Sequence, residues 1–487
     1  MDSMVGEDQL FETPPAVSRP CLPDPGAEVP VDKTFRCYDQ DQSFLMPPSL
    51  RDWLPEDHLA LFVSELVDEV LDLSPFLASY TEARGFPPYH PRLMLKVLLY
   101  GYTTGVRSSR KLETRCHDDV GFRFLAANVA PDFRSIARFR RRHLTALEAL
   151  FLQALTLCQQ AGMVKMGRVA LDGTKVKASA SRHKAMSYDR MCAAEPALAA
   201  EVEQIMAEAE RLDAEEDAAH GPDNRGGDLQ GELARRESRL VKIRKAKADL
   251  EQHAKDQAAD TARAKAQAAG KDAEATEAAA ERAAEAAVVK SKAQRNFTDS
   301  DARIMKTADG SFHYCYNAQA VVDEENQVIV ATDFAASGAD NPAFTDMLDQ
   351  TVSNTGTTPQ ETLADAGYFS ENNIDAAHAA GTDPLIATGR LPHGEKVPDA
   401  PRGRIPTNAT PKARMARKLR TQKGKAAYSR RKVIVEPVFG QMKTTQGAGR
   451  LLLRGHEHAR AEWCLLVACH NLRKLFSYTT AAQLATG

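Results

Sequence analysis

Three carboxylates stand in contexts that suit metal-assisted phosphoryl chemistry. Asp172 lies inside the run Arg168-Val-Ala-Leu-Asp-Gly-Thr-Lys-Val-Lys-Ala-Ser-Ala180. Asp365 closes a second apolar run, in Leu363-Ala-Asp-Ala-Gly-Tyr-Phe369. Glu436 follows a basic stretch, in Val435-Glu-Pro-Val-Phe-Gly-Gln-Met-Lys443. Carboxylate oxygens are hard ligands that suit Mg²⁺ or Mn²⁺. Two such ions ~3.5–4 Å apart can activate a water or a 3′-hydroxyl and stabilise the leaving oxygen of a phosphodiester. Each residue also has a plainer reading. Asp172-Gly and Asp365-Ala-Gly are turn-like, and an isolated Glu436 would be a solvated helix residue. The combination of two strand-borne carboxylates and one on a helix is what points to a metal pair.

Helical geometry extends the set. At 100° per residue, Tyr428, Lys432, Glu436, Gly440 and Lys443 fall within about 80° of Glu436 on one face. That face offers a carboxylate for metal, with cations and a phenol for a DNA backbone. Arg431 falls about 140° off it, so this geometry favours Lys432 over Arg431 as the phosphate contact. Pro437 removes one helical hydrogen bond, and a kink is expected after the glutamate.

The charge distribution says more than the net charge of −3. Twelve Lys/Arg and no Asp or Glu lie between Pro401 and Val435. Phe133–His143 carries five arginines, with Arg138, Arg140, Arg141 and Arg142 as candidate DNA contacts. Such stripes suit a polyanion, and phosphate contacts dominate nucleic-acid affinity. A solvated basic face is the competing reading.

The elements that must position these groups follow from composition and period. Residues 1–33 contain six prolines and read as a flexible leader. Residues 34–165 show helical spacing throughout, with Ser109 as an N-cap and one long helix opening at Pro131-Asp132. Short helices followed by an arginine-bearing helix fit a helix-turn-helix-like reader. Residues 168–180 alternate as a strand, with Asp172 and Thr174 sharing a face. Residues 181–295 interrupt the pattern: Ala254–Lys290 holds 17 alanines in 37 residues. Two or three long helices with little apolar seam are expected, a coiled-coil-like hairpin broken near 220–227. Strand–hairpin–helix–strand–helix–strand order resumes over 314–388, so the core is α/β with a mixed five-stranded sheet. Helices at Tyr428–Met442 and Trp463–Phe476 follow, and 479–487 reads as a tail. The division is therefore a helical domain over 34–165, an α/β domain over 166–180 and 296–478, and an insertion over 181–295.

Function classes are narrowed as well. No apolar run approaches the ~20 residues of a membrane span. Met1–Leu10 lacks the apolar centre of a secretory signal. The eight cysteines form no CxxC pair, and a reducing cytoplasm suits them.

The sequence resembles bacterial insertion-sequence transposases with a ribonuclease H-like DDE domain. It is closest in look to the branch with an extra helical N-terminal domain and a C-terminal Tyr/Arg/Glu/Lys signature. The matching stretches are Tyr89-His-Pro-Arg-Leu-Met94, Gly101–Lys111, Ala170–Lys175, Tyr316-Asn-Ala-Gln319, Ala364–Tyr368, Val435–Lys443 and Cys469-His-Asn-Leu-Arg-Lys474. The resemblance implies that Asp172, Asp365 and Glu436 bind two Mg²⁺ or Mn²⁺ ions. It implies nicking at the ends of a mobile element, then attack of the freed 3′-hydroxyl on the other strand or on target DNA. It implies a homodimer in a synaptic complex on double-stranded DNA, in the bacterial cytoplasm at the nucleoid. Tyr428, an arginine and Lys443 would hold phosphates. The family places the arginine four residues and the tyrosine seven before the glutamate. Here Lys432 takes the first offset, and Tyr428 stands eight before. Arg431 or Lys432 could fill the arginine's place. A catalytically inactive, repurposed DNA-binding relative is the alternative function.

Overall fold

The computed structural model describes residues 49–80, 88–220, 228–389 and 398–486 apart from 402, 404 and 407. The expected leader at 1–33 and the helix break at 221–227 lie outside these residues. From Leu54 onward the chain forms one compact unit.

Seven helices come first: α1 (Leu59–Glu65), α2 (Ser74–Leu77), α3 (Pro91–Thr104), α4 (Ser109–Asp118), α5 (Val120–Leu125), α6 (Phe133–Arg142) and α7 (Leu144–Gln160). Local chemistry sets their ends. Pro91 occupies the first turn of α3, and the His90 side chain caps it. Asp132 caps α6 through the Arg134 and Ser135 amides. Two boundaries differ from the sequence reading. Ser108 rather than Ser109 precedes α4, without a side-chain cap. The long helix expected from Pro131 breaks at His143, whose backbone leaves helical geometry.

The sheet contains β1 (Arg168–Lys177), β4 (Arg303–Lys306), β5 (Phe312–Asp323), β6 (Ile329–Ala335), β7 (Glu361–Ala364) and β8 (Asp383–Ile386). Strand β1 is central, antiparallel to β5 and parallel to β7, while β8 extends the parallel side. Strand β5 is long enough to pair with both β4 and β6 on its far edge. The sheet is therefore mixed, as expected, but has six strands rather than five. Helices α11 (Ala343–Thr355) and α12 (Glu371–Ala379), then α13 (Pro411–Arg420), α14 (Gln422–Thr444) and α15 (His456–Thr486), flank it. Helix α15 runs through the residues read as a tail.

Between β1 and β4 stand β2 (Ala185–Ser187), α8 (Tyr188–His220), α9 (Asp228–Ala268), α10 (Ala273–Glu285) and β3 (Gln294–Asn296). Strands β2 and β3 pair antiparallel where the chain leaves and rejoins the sheet region. Helices α8 and α9 run antiparallel, with Glu201 bonded to Arg236 and Glu195 to Arg244. A separate apolar seam joins them, correcting the expectation of little seam: Met191, Leu198 and Val202 pack with Leu240, Ile243 and Leu250. Aliphatic residues at helical spacing form the seam, with Tyr188 and Phe297 packed against it.

Helix α15 ties the layers together. It packs on α7 and α3 on one side and on β6 on the other. His470 and Asn471 lie along the free edge of β6. Asn471 accepts from the Ile329 amide and donates to the Ile329 carbonyl, both at 2.9 Å. The side chain thereby replaces a missing strand neighbour. A buried ion pair closes the other end: Arg107 Nη1 reaches Glu462 Oε1 at 2.9 Å, with Glu462 2% exposed. Glu462 Oε2 also accepts the Leu452 and Leu453 amides at 2.8 Å each. Removing one partner of such a pair strands a buried charge. Glu462→Ala is therefore expected to cost about 3–5 kcal/mol in urea unfolding. A midpoint equal to wild type would show that the pair does not hold the helical layer to α15.

Candidate active site

Strand register brings the first two carboxylates together. In the parallel β1–β7 pair, Leu171 stands opposite Ala364. Asp172 and Asp365 are the next residues on each chain, so they sit side by side where β7 ends. Asp172 Oδ1 accepts its neighbour's amide, Gly173 N, at 2.8 Å. Asp365 Oδ1 accepts Gly367 N at 2.7 Å and caps a short helical turn. Burial raises the Asp172 pKa. Arg431 pulls it back, and the nearby Asp365 charge adds to the rise.

Helix α14 lies across this end of the sheet, contacting β1, β5 and β7. It starts at Thr421, whose hydroxyl caps Gly424 N. Arg431 Nη1 donates to Asp172 Oδ2 at 2.6 Å, and both side chains are largely buried. Tyr428 stacks near the Arg431 guanidinium at 5.9 Å, and burial raises its pKa. Lys443 Nζ donates to Thr174 Oγ1, two residues from Asp172 on the same strand face. Arg431, Tyr428 and Lys443 are thus gathered at the site.

Lys432 is not: it is exposed. The helix buries Ala427, Ile434, Val435, Val438, Phe439 and Met442. At 100° per residue that stripe is centred about 140° from Glu436, the direction of Arg431. The inward face is set by this apolar stripe and not by the direction of Glu436, so the expected preference for Lys432 over Arg431 is reversed. Glu436 is exposed and makes no hydrogen bond or ion pair with the described residues. It shares its side of the helix with Lys443, which reaches β1.

The kink expected at Pro437 does not end the helix. Pro437 cannot donate to the Val433 carbonyl, and Gln327 Nε2 does so instead at 3.0 Å. Gln327 also accepts Lys474 Nζ at 2.9 Å, and its own carbonyl meets His470 Nε2 at 3.0 Å.

The arginine run on α6 divides. Arg138, Arg141 and Arg142 are exposed. Arg142 Nη2 donates to the Ser79 carbonyl and lies over the Tyr80 ring. Arg140 is 5% exposed. Its guanidinium donates to the Tyr102 hydroxyl and the Arg107 carbonyl at 3.0 Å each, and to Ser109 Oγ. Arg140 is a structural cross-link between α6 and the α3–α4 turn, which corrects its reading as a DNA contact.

Sequence reasoning missed Asp340. Its Oδ1 accepts Asn317 Nδ2 at 2.7 Å, and Lys175 Nζ stands 3.4 Å away. Asn317 and Gln319 are polar residues interleaved with Ala318, Ala320, Val321 and Val322 in a buried strand, and that anomaly was a legible signal. Among the described residues no group of three His, Cys, Asp or Glu side chains stands close enough to hold a metal ion. The donor set still fits one chemically. Asp172 and Asp365 are neighbouring hard-oxygen ligands, and the burial of Asp172 calls for a positive charge that Arg431 supplies.

Comparison with known families decides what frame this belongs to. Residues 287–472 match the model described as "Transposase DDE domain", and residues 48–142 match that described as "Transposase domain (DUF772)". The chain carries the domains of a DDE transposase. Both are typical of bacterial-type insertion-sequence transposases. A DDE domain implies a ribonuclease H-like core, and the transposase's mixed sheet with flanking helices accords with that. The first match contains Asp365 and Glu436 but begins after Asp172. The insertion between β2 and β3 separates Asp172 from the matched segment, and the sheet reunites them. No curated protein and no solved structure matches the chain. No helix among the described residues is long and apolar enough to cross a membrane.

Two substitutions separate the roles on α6. Arg140→Ala leaves the buried Tyr102 and Ser109 hydroxyls unpaired and should cost about 1–3 kcal/mol of stability. Arg138→Ala should leave the unfolding midpoint near wild type while weakening DNA retention in a mobility-shift assay. An Arg140→Ala protein with wild-type stability and lost DNA binding would return Arg140 to the DNA face.

Proposed function

We propose that this transposase binds the terminal inverted repeats of an element, cuts their phosphodiester bonds with divalent metal ions, and joins the freed 3′ ends to target DNA. One observation carries the reading: the parallel register of β1 and β7 seats Asp172 beside Asp365, under a helix that brings cations to them. Transposase domain content supplies the substrate class.

Asp172 and Asp365 would hold Mg²⁺ or Mn²⁺, with Glu436 on α14 as the third ligand. The bound ions would supply an activated nucleophile and charge neutralisation at the leaving oxygen. The residues of the chain do the rest. Arg431, the ion-pair partner of Asp172, would turn its guanidinium fork toward a phosphate of the cleaved end once metal balances the Asp172 charge. Lys443, beside Thr174, and Tyr428, beside Arg431, hold neighbouring phosphates. Hydrolysis adds water at phosphorus and expels the 3′-oxygen, which takes up a proton. The resulting 3′-hydroxyl then attacks a target phosphodiester, loses its proton and displaces that bond's 3′-oxygen.

Beyond the centre, Arg138, Arg141 and Arg142 on α6 would contact the inverted repeats. The basic residues of α13 and α14 would follow the backbone. Two copies, one at each element end, complete the synaptic complex in the bacterial cytoplasm.

The exposed position of Glu436 favours a second reading, a DNA-binding relative without cleavage. One experiment separates them. Mg²⁺-dependent cleavage of DNA carrying the element ends should occur with wild type. It should fall at least about 100-fold in Asp365→Asn while mobility-shift binding persists, as expected where metal-ion catalysis is removed. Arg431→Ala should lose cleavage to a similar degree, and Lys432→Ala should not. Binding without cleavage in wild type would establish the second reading. Cleavage retained in Asp365→Asn would overturn the carboxylate assignment.

A further inference from the structure

The reverse face of β1, one residue past Asp172, holds polar groups that the reading above does not use. Gly173 lies opposite Gln319 on β5, and Lys175 opposite Asn317. Asn317 and Gln319 are fully buried, as is Tyr368. Asn317 Oδ1, Gln319 Oε1 and the Tyr368 hydroxyl have no hydrogen-bond partner. Each such group costs about 1–3 kcal/mol when left unpaired. Asn317 Oδ1 and the Tyr368 hydroxyl converge on one place. A Cβ on Gly173 would stand 3.1 Å from Asn317 Oδ1, 3.1 Å from Asp340 Oδ1 and 3.4 Å from the Tyr368 hydroxyl.

Asp340 links this cluster to the centre. Its Oδ1 takes the Asn317 amide at 2.7 Å and the Gln319 amide at 3.3 Å. Its other oxygen, Oδ2, points along the turn that follows Asp365. A Cβ on Gly367 would stand 3.0 Å from Asp365 Oδ1 and 3.1 Å from Asp340 Oδ2. Glycine at 173 and at 367 keeps both spaces clear. The Asp340 side chain is 24% exposed, so an ion can reach it. Lys175 Nζ stands 3.4 Å from Asp340 Oδ1 as its ion-pair partner among the described residues.

We propose that Asp340 is a fourth acidic ligand of the divalent-metal centre. Asn317 and Gln319 orient it, and Lys175 acts as its counter-ion until metal binds. This deepens the reading of Asp172 and Asp365 as metal ligands and rests on it. Two amide donors fix one oxygen of Asp340 and leave the other aimed toward Asp365. Asp365 can keep the Gly367 amide on Oδ1 and offer Oδ2 to the ion, while Lys175 would yield its place by charge repulsion. The unpaired Asn317 and Gln319 amide oxygens are acceptors suited to waters that a hard cation retains and that donate hydrogen bonds.

The test is Mn²⁺ binding to the full chain without DNA, followed by electron paramagnetic resonance of free Mn²⁺. Asp340→Asn keeps the shape and the oxygen that accepts from Asn317 and Gln319, replaces the other oxygen by an amide donor, and should weaken Mn²⁺ binding about tenfold. Lys175→Met removes the counter-ion and should tighten Mn²⁺ binding. The thermal midpoint of each variant, measured without metal, checks folding. Asp172→Asn runs in parallel. If Asp172→Asn weakens Mn²⁺ binding and Asp340→Asn does not, the Asp340 assignment fails alone. If neither substitution changes Mn²⁺ binding, the metal centre itself is wrong and this inference falls with it.

Discussion

Two carboxylates held side by side in a partly buried place repel each other and resist desolvation. The β1–β7 register imposes this at Asp172 and Asp365, and much of the structure answers it. The Gly173 and Gly367 amides bond one oxygen of each. Arg431 neutralises Asp172, and that requires α14 to lie across β1 in one rotational setting. The setting is fixed from both sides. Lys443 reaches Thr174 near one end, and Arg430 pairs with Glu324 at 2.6 Å nearer the other. Gln327 takes the Val433 carbonyl between them, and α15 in turn holds Gln327 through Lys474 and His470. The charge balance at the strand ends thus reaches back to the last helix, which also carries the helical layer.

Basic residues do two kinds of work here, and side-chain direction separates them. Helix α6 buries Ile136, Phe139 and Arg140, so Arg140 enters the core with its partners waiting. Its neighbours Arg138 and Arg141 turn to solvent. Arg107 is likewise consumed by Glu462 and by the Arg450 carbonyl at 2.7 Å. A linear count of arginines cannot make this distinction. Burial favours arginine over lysine at such points, since its planar fork satisfies several acceptors at once.

The succession of strands and helices over 314–388, the hairpin after β5 and the strand positions of Asp172 and Asp365 were legible in the sequence. Each rests on local chemistry: period-two alternation and carboxylates closing apolar runs. The sixth strand was not, because Arg303–Lys306 is short and its pairing depends on the unusual length of β5. The break at His143 was hidden by uninterrupted helical spacing on both sides. The choice between Arg431 and Lys432 failed for a different reason. Helical wheels give relative angles, and the inward direction must come from the apolar stripe rather than from the residue of interest. Read from the whole buried stripe, Ala427, Ile434, Val435, Val438, Phe439 and Met442, the same wheel selects Arg431.

The spacing of the C-terminal signature acquires a physical meaning from that wheel. Tyr428 and Arg431 keep the three-residue separation of the pattern the sequence resembles, and both stand one residue further from Glu436. One extra residue rotates the pair by about 100° relative to the glutamate. The structure keeps the pair facing Asp172, since a buried carboxylate without its cation costs more than an exposed glutamate. Glu436 is exposed, while Lys443 on the same side of the helix reaches Thr174. The adjacent turn is the one in α14 whose backbone bond is missing, because Pro437 has no amide to give Val433. Gln327 fills that gap from outside the helix. Local rotation of Glu436 toward Asp172 is thus opposed by a side-chain bond rather than by a helical one. The proline and the displaced glutamate are adjacent parts of one adjustment.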